Sequence, residues 1–529
     1  LQGKADRAAP EILSDAALAL KGAVLSENIR LNRAMRTHAK EQRISDTLMQ
    51  LRERYSRIAT RKVEDDELRA AMLLREQLRS AIDSLDALLR QLNSTYRRSR
   101  EIEDADWREI RRNLGPDEAI IEYLAVEDSA GSEGRRYLAL VLRPGSAPTI
   151  VDLCTESAIE RAAQTSIDER TVSLMPEQQR MRALSDLVIA PLLSHVDRVA
   201  ALTVVPDGVL HRLSFAALPV ESATGSTVYL DEHVVLRQLV RSSDLLTGMR
   251  GIRRYGSDAP ARILLIGNPA FSTSNDGAAS YSVRGWQDLP GTEKEVDDLA
   301  ALCGEFGVTV VTMQRSEASE TALKQLSGDA PRVLHLATHG YFYPVLPPRE
   351  GSEGTSEYRY ARGQTAPVFR GDPEEGDLDT RRGRGTIAAE GHPLLRSGII
   401  LAGANAAWRG SPGDESGDDG ILTAMEVSQL DLEKTELVVL SACETALGDI
   451  RTGEGVFGLQ RAFLAAGVSS LVMSLWKVAD QATAEFMVHF YRSWLTGASR
   501  RDALREARRL LRERYSDPQI WAAFVLVGR

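Results

Sequence analysis

The chain reads as an α/β protein with a largely parallel sheet flanked by helices, preceded by an all-helical region. Two observations predict this class. From about residue 105 onward, short apolar runs of strand length alternate with amphipathic segments of helical period. Before that, from about residue 11 to residue 104, glycine and proline almost vanish while Leu, Ala, Arg and Glu dominate.

Within the first region, residues 1–104, Leu78, Ile82, Leu85, Leu89, Leu92 and Tyr96 recur at heptad spacing. This predicts a helical hairpin or the end of a helical-repeat array, although no clean repeat of about 34 residues is present. A first α/β unit, residues 105–250, carries the strand-like runs "AIIEYLAV", "RRYLALVLRP", "RVAALTVVPDG" and "HVVLRQLV". A second, residues 251–529, runs from "ARILLIGNP" through the helix "TEKEVDDLAALCGEFG" to "VTVVTM", "RVLHLATHG", "ELVVLSAC" and "VSSLVMSLW". Strands alternating with helices imply parallel pairing with both faces covered, and chemistry in such sheets collects at the carboxyl ends of the strands. Residues 344–392 break the alternation. They are rich in Pro, Gly, Arg and acids and are expected to form a long mobile loop. A shorter polar loop is expected over 409–420.

Composition narrows the function. The formal net charge of −10 argues against nucleic acid as the main partner, and no apolar run reaches the ~18 residues that span a bilayer. The opening "LQGKADRAAP" has neither an initiator methionine nor an apolar signal core, which reads as a piece of a longer cytoplasmic protein. Three cysteines, Cys154, Cys303 and Cys443, are far apart and form no C-x-x-C pair, so neither a disulfide framework nor a zinc ribbon is indicated. The spacing of His335 and His339 lacks the glutamate and the helix of a zinc-peptidase motif, and no metal or other cofactor is expected.

Two residues stand at strand ends in a pattern that suggests catalysis. His339 and Gly340 close "RVLHLATHG", and Cys443 closes "ELVVLSAC". An imidazole beside a thiol favours the thiolate and can later protonate a leaving amine. The backbone N–H groups of Gly340 and Cys443 are then candidates for an oxyanion hole. Either side chain alone reads more simply as a packing residue, and it is their joint occurrence that points to catalysis; His335, facing inward, and Cys154 are assigned to packing. His339 and Cys443 lie 104 residues apart, or about 55 once the loop is discounted, near the ~50 by which the histidine precedes the cysteine in caspases.

The sequence resembles the CHAT family, caspase-like peptidase domains associated with tetratricopeptide repeats and related to caspases and separase. The resemblance covers most of residues 105–529. It is carried by "VVPDGVLHRLSFAAL", "LPGTEKEVDDLA", "VLHLATHG", "HPLLRSGIILAGAN", "DGILTAMEVSQLDL", "ELVVLSACETALGD", "GEGVFGLQRAFLAAGVSSLVMSLWKVADQAT" and "WAAFVLVG", in that order. It implies a cysteine endopeptidase acting on protein substrates, with His339 and Cys443 as the catalytic pair and residues 105–250 as an inactive half. "SACETA" departs from the caspase "QAC-x-G", so cleavage after Asp is not implied. The segment "SLWKVAD" would form a wall of the substrate groove, bringing Trp476 into it. Asp480, Glu444 and Asp449 become candidates for a P1 pocket that prefers basic side chains. Arg381, Arg382 and Arg384 in the loop are then candidate self-cleavage positions. A regulatory protein acting on the helical region is an expected partner. The alternative is a non-enzymatic, caspase-like signalling scaffold.

Overall fold

Alternating side chains bury both faces of the central sheet, and this determines the architecture. In the strand Val333–Ala337, Val333 joins one apolar cluster, while Leu334 and Leu336 join the cluster on the other side. A strand apolar on both faces must be covered twice, as parallel sheets are. The computed structural model describes residues 43–44, 47–48, 51, 68–92, 105–127, 134–167, 177–221, 225–247, 262–272, 285–342, 393–408, 418–441, 449–451 and 455–528. The loop 344–392 with Arg381, Arg382 and Arg384, most of the 409–420 loop, and Cys443 with Glu444 lie outside these residues.

The strands are β1 (Glu118–Glu127), β2 (Arg135–Leu142), β3 (Thr149–Thr155), β4 (Ala201–Val205), β5 (Pro219–Glu221), β6 (Thr227–Tyr229), β7 (Val235–Gln238), β8 (Ile263–Pro269) and β9 (Val310–Arg315). They continue with β10 (Val333–Ala337), β11 (Gly340–Phe342), β12 (Ser397–Ile400), β13 (Ile421–Thr423), β14 (Leu437–Leu440), β15 (Asp449–Arg451), β16 (Gly455–Phe457), β17 (Ser470–Ser474) and β18 (Phe524–Gly528). Eleven form one sheet in the order β3-β2-β1-β4-β7-β18-β17-β14-β10-β8-β9. The β1–β2, β2–β3 and β17–β18 neighbours pair antiparallel, and the others pair parallel. The expected mostly parallel sheet is therefore present. Strands from both α/β units share it, joined where β7 meets β18 at the Gln238–Val527 pair. A small sheet, β11-β12-β13, branches from the end of β10.

The helices that matter below are α1 (Leu68–Leu92), α2 (Leu230–His233), α3 (Pro290–Glu305), α4 (Ala404–Trp408), α5 (Asp480–Leu495) and α6 (Arg500–Arg514). Leu78 and Leu89 of α1 are buried, and Leu89 clusters with Leu48, Ile44, Ile82 and Leu85, as the heptad seam predicts. Leu92, expected on the same seam, is 41% exposed, and Tyr96 lies outside the described residues. No helix among the described residues is long and apolar enough to cross a membrane.

Helix α3 lies close against β8 because Gly267 has no side chain. A Cβ there would come within 2.6 Å of Val296 Cγ2 and 2.7 Å of the Thr292 carbonyl. Gly267→Ala is expected to lower unfolding stability in urea by about 1–3 kcal/mol, because backbone must move. Gly304→Ala, on the exposed end of the same helix with nothing within 4 Å of its Cβ position, should be neutral or stabilising by about 0.5–1 kcal/mol.

Candidate active site

The end of β10 turns at Thr338 and His339 into β11, and both residues are tied to β12. Thr338 Oγ1 donates to the Ile400 carbonyl at 2.6 Å, and Ile400 N donates to the His339 carbonyl at 2.9 Å. That second bond makes Gly340 and Ile399 a non-hydrogen-bonded pair of the antiparallel ladder, so the Gly340 N–H points away from β12. The backbone here is held while one donor is directed elsewhere.

The His339 ring is 5% exposed and lies between Phe271 and Trp286, with centroids 5.0 Å from each. Its Nε2 is 2.9 Å from the Gln287 carbonyl. A carbonyl only accepts, so Nε2 carries the proton and Nδ1 is the basic nitrogen of the neutral ring.

The Gln287 carbonyl is itself held in position. Asn405, at the start of α4 and 2% exposed, accepts from Trp286 N at 2.6 Å and donates Nδ2 to the Trp286 carbonyl at 3.0 Å. Its Nδ2 also donates to Ser272 Oγ, and its backbone N to the Phe271 carbonyl, both at 2.9 Å. One asparagine thus fixes both aromatic neighbours of His339. On the other side of Gln287, Asn268 accepts from Leu289 N at 2.7 Å through Oδ1 and donates Nδ2 to Glu293 at 2.7 Å. Asn268 adopts φ 41°, a left-handed conformation that asparagine tolerates better than most residues.

Beneath this loop, Glu295 of α3 is 2% exposed and accepts from His335 Nε2 at 3.0 Å and Ser441 Oγ at 2.7 Å. His335 is fully buried, and its Nδ1 lies 3.3 Å from the Tyr491 hydroxyl. A tautomer with the proton on Nε2 satisfies both contacts, so His335 has a structural role. Ser441 N donates to the Leu336 carbonyl at 2.9 Å, extending the β10–β14 pairing to the last described residue before Cys443. Each β14 residue pairs with the β10 residue 104 positions earlier, which is also the His339–Cys443 separation.

The remaining sequence candidates occupy nearby elements. Asp480 opens α5 beside the first turn of α3: a Cβ on Gly291 would lie 2.7 Å from Asp480 Cβ and Oδ2. Trp476 is half-buried, and its indole N–H donates to the Gln519 carbonyl at 2.7 Å. Asp449 begins β15, and its side chain is outside the description. The other two cysteines sit in environments that suppress nucleophilicity. Burial raises the Cys154 and Cys303 thiols to about 11. Sequence reasoning did not assign Asn268, Gln287, Glu295 or Asn405. The signals available were polar residues set among apolar ones, in "LIGNP" and "LAGAN".

Comparison with known proteins gives one family and two kinds of neighbour. A family described as the CHAT domain matches residues 178–529. Tetratricopeptide repeat protein 28 of Homo sapiens is 27% identical over 365 residues, and that of Mus musculus 28% over 366 residues. Each match covers 66% of this chain, and the matched part is 13% of the relative's length. The Saccharomyces cerevisiae separase–securin crystal structure at 2.6 Å aligns with 92% of this chain and 38% of its own, at 9% identity and a TM-score of 0.37. The 3.0 Å structure of the same complex aligns with a TM-score of 0.32.

Two measurements follow from this geometry. Asn405→Ala should cost about 2–3 kcal/mol in a urea titration by removing its hydrogen bonds to the buried Trp286 amide groups, and Asn405→Asp, which sets an acceptor against the Trp286 carbonyl, should cost at least as much. With thiols near 11 against ~8.5 for free cysteine, Cys154 and Cys303 should be alkylated by iodoacetamide at pH 7.5 about 300-fold more slowly than a free thiol. Because the reactive form is the thiolate, their rates should rise about tenfold per pH unit until about pH 11, as read by peptide mass spectrometry.

Proposed function

Because this chain belongs to the CHAT domain family, we propose that it is a cysteine endopeptidase acting on protein substrates through His339 and Cys443. The observation that carries the reading is the His339 ring. It is buried, clamped by two aromatic side chains, and bonded through Nε2 to a fixed carbonyl, so Nδ1 is the nitrogen available for proton transfer. The common 104-residue offset of the β10–β14 pairing and of the His339–Cys443 pair supports the choice of nucleophile.

In this mechanism His339 Nδ1 accepts the Cys443 thiol proton, and the thiolate sulfur attacks the scissile carbonyl carbon. The carbonyl oxygen becomes an oxyanion, stabilised by the N–H groups of Gly340 and Cys443. Gly340 is suited to this because its N–H points away from β12. As the tetrahedral intermediate collapses, the carbon–nitrogen bond breaks and His339 returns the proton to the leaving amine. A water molecule, deprotonated by the same nitrogen, then hydrolyses the thioester. The Gln287 carbonyl stabilises the imidazolium that forms transiently, as a fixed acceptor costs no reorganisation.

For specificity, Asp480 is proposed as the acid of a basic P1 pocket, supported by its place beside the turn that follows Gln287. Glu444, Asp449 and Trp476 are proposed to line the same groove. Residues 105–250 act as a supporting half and 251–529 as the catalytic half. A regulatory protein acting on residues 1–104, in the cytoplasm, completes the proposal.

Cys443→Ala and His339→Ala should each abolish cleavage of fluorogenic peptides while leaving the thermal midpoint nearly unchanged. Cleavage that persists without Cys443 would overturn the enzyme reading, and a wild-type chain inert toward every peptide would favour a binding scaffold. Peptides with Arg or Lys at P1 should exceed those with Asp by about tenfold or more, since like charges in a pocket cost several kcal/mol. Asp480→Ala should erase most of that preference. Incubated wild-type protein should acquire new termini at Arg382 or Arg384, seen by mass spectrometry and absent in Cys443→Ala.

A further inference from the structure

The seam between the two halves of the sheet holds more positive charge than its own acids answer. A recess opens between α6 and the β4–β7–β18 junction, about 530 Å³ when the open solvent at its mouth is counted. Arg237 from β7 and Arg501, Arg505 and Arg508 from α6 line it, and Asp231 is the only acid among the described lining residues.

Asp231 is already engaged. It lies 3.5 Å from Arg508 and 3.9 Å from Arg512, and Arg508 also donates to the Phe524 carbonyl at 2.7 Å. Arg505 donates one bond, to the Glu232 carbonyl at 3.1 Å. Arg237 has Glu118 at 3.9 Å, the outer limit of an ion pair, and its buried Nε has no hydrogen-bond partner among the described residues. Arg508 Nε is likewise buried without one. Arg501 is half-buried and makes no hydrogen bond or ion pair with the described residues. Burial, and then the neighbouring Arg237, lower the Arg501 guanidinium to about 10, with Glu118 and Asp502 only partly offsetting them. A desolvated cation next to a like charge is costly unless an anion joins them.

We propose that this recess is a binding site for a phosphoryl group, held between Arg237 of one half of the sheet and Arg501 and Arg505 of the other. Guanidinium forks match the oxygens of a phosphoryl group, which concentrates nearly two charges in a small volume. A carboxylate brings one charge. Arg237, Arg501 and Arg505 line one recess, so a dianion answers more of their charge than a carboxylate does. Bound there, it links β7 to α6 beside the Gln238–Val527 pair that joins the two halves. The site is independent of the peptidase reading.

The test uses the full 529-residue chain and does not depend on cleavage. Thermal unfolding is followed while orthophosphate, or phosphoserine as a model of a phosphorylated protein segment, is titrated in at constant ionic strength, with chloride and glutamate as controls. A ligand that binds only the folded state raises the midpoint with concentration. The expected result is an upward shift for at least one phosphoryl compound and none for glutamate. Calorimetric affinity should fall about tenfold or more in Arg501→Gln and in Arg237→Gln. A stronger response to phosphoserine than to orthophosphate would identify a modified segment as the source; the reverse would identify a free ligand. Without phosphate, Arg501→Gln should unfold at or above the wild-type temperature, since it removes a desolvated cation beside Arg237. No shift, an equal shift with glutamate, unchanged affinity in the folded variants, or a less stable unliganded Arg501→Gln would each overturn the proposal.

Discussion

A carboxylate almost sealed from water, that of Glu295, holds together the part of the molecule on which the site is built. Burying such a group costs several kcal/mol unless its oxygens are hydrogen-bonded. Glu295 Oε1 accepts from two donors on neighbouring parallel strands, His335 on β10 and Ser441 at the end of β14. Three elements are therefore tied to one atom, Oε1: α3, which carries it, and the two strands whose ends bear His339 and lead toward Cys443. A one-residue slip of β14 would turn Ser441 away and leave the charge unanswered. The same interaction that stabilises the fold also sets the register of the site.

Above that layer, the support of His339 is almost entirely backbone and amide chemistry. The ring is aimed by a carbonyl, Gln287, and the segment bearing the carbonyl is held at both ends by asparagines. Amide side chains both donate and accept without ionising, so the positioning does not change with pH. Phe271 and Trp286 add apolar walls that limit the tilt of the ring, and both are fixed by Asn405.

The two halves of the sheet meet by a different logic. The β7–β18 junction contributes little ladder pairing, and polar contacts across it come from the arginines of α6 to Asp231 and Glu232 of α2. Such contacts respond to charge more readily than an apolar core does. Beneath these contacts one apolar cluster runs across the seam, with Leu202, Val204 and Leu230 of the first half packed together with Leu504, Trp521 and Leu526 of the second.

The sequence alone determined the strand runs, the heptad seam of α1, the mostly parallel pairing, and the end of β10 just before His339, because each is written in a local period or a local break in it. The inward role of His335 was legible for the same reason: it alternates with leucines that face the other way. Tertiary structure decided what the period cannot encode. The bonds between Asn405 and Trp286 span 119 positions, and those between Ser441 and Glu295 span 146, so no window of neighbouring residues contains both partners. The union of two α/β units in one sheet depends on the C-terminal strand inserting beside β7, a pairing of residues that lie almost 290 positions apart. Periodicity tells a residue which face it occupies; only the folded chain tells it which distant residue stands opposite.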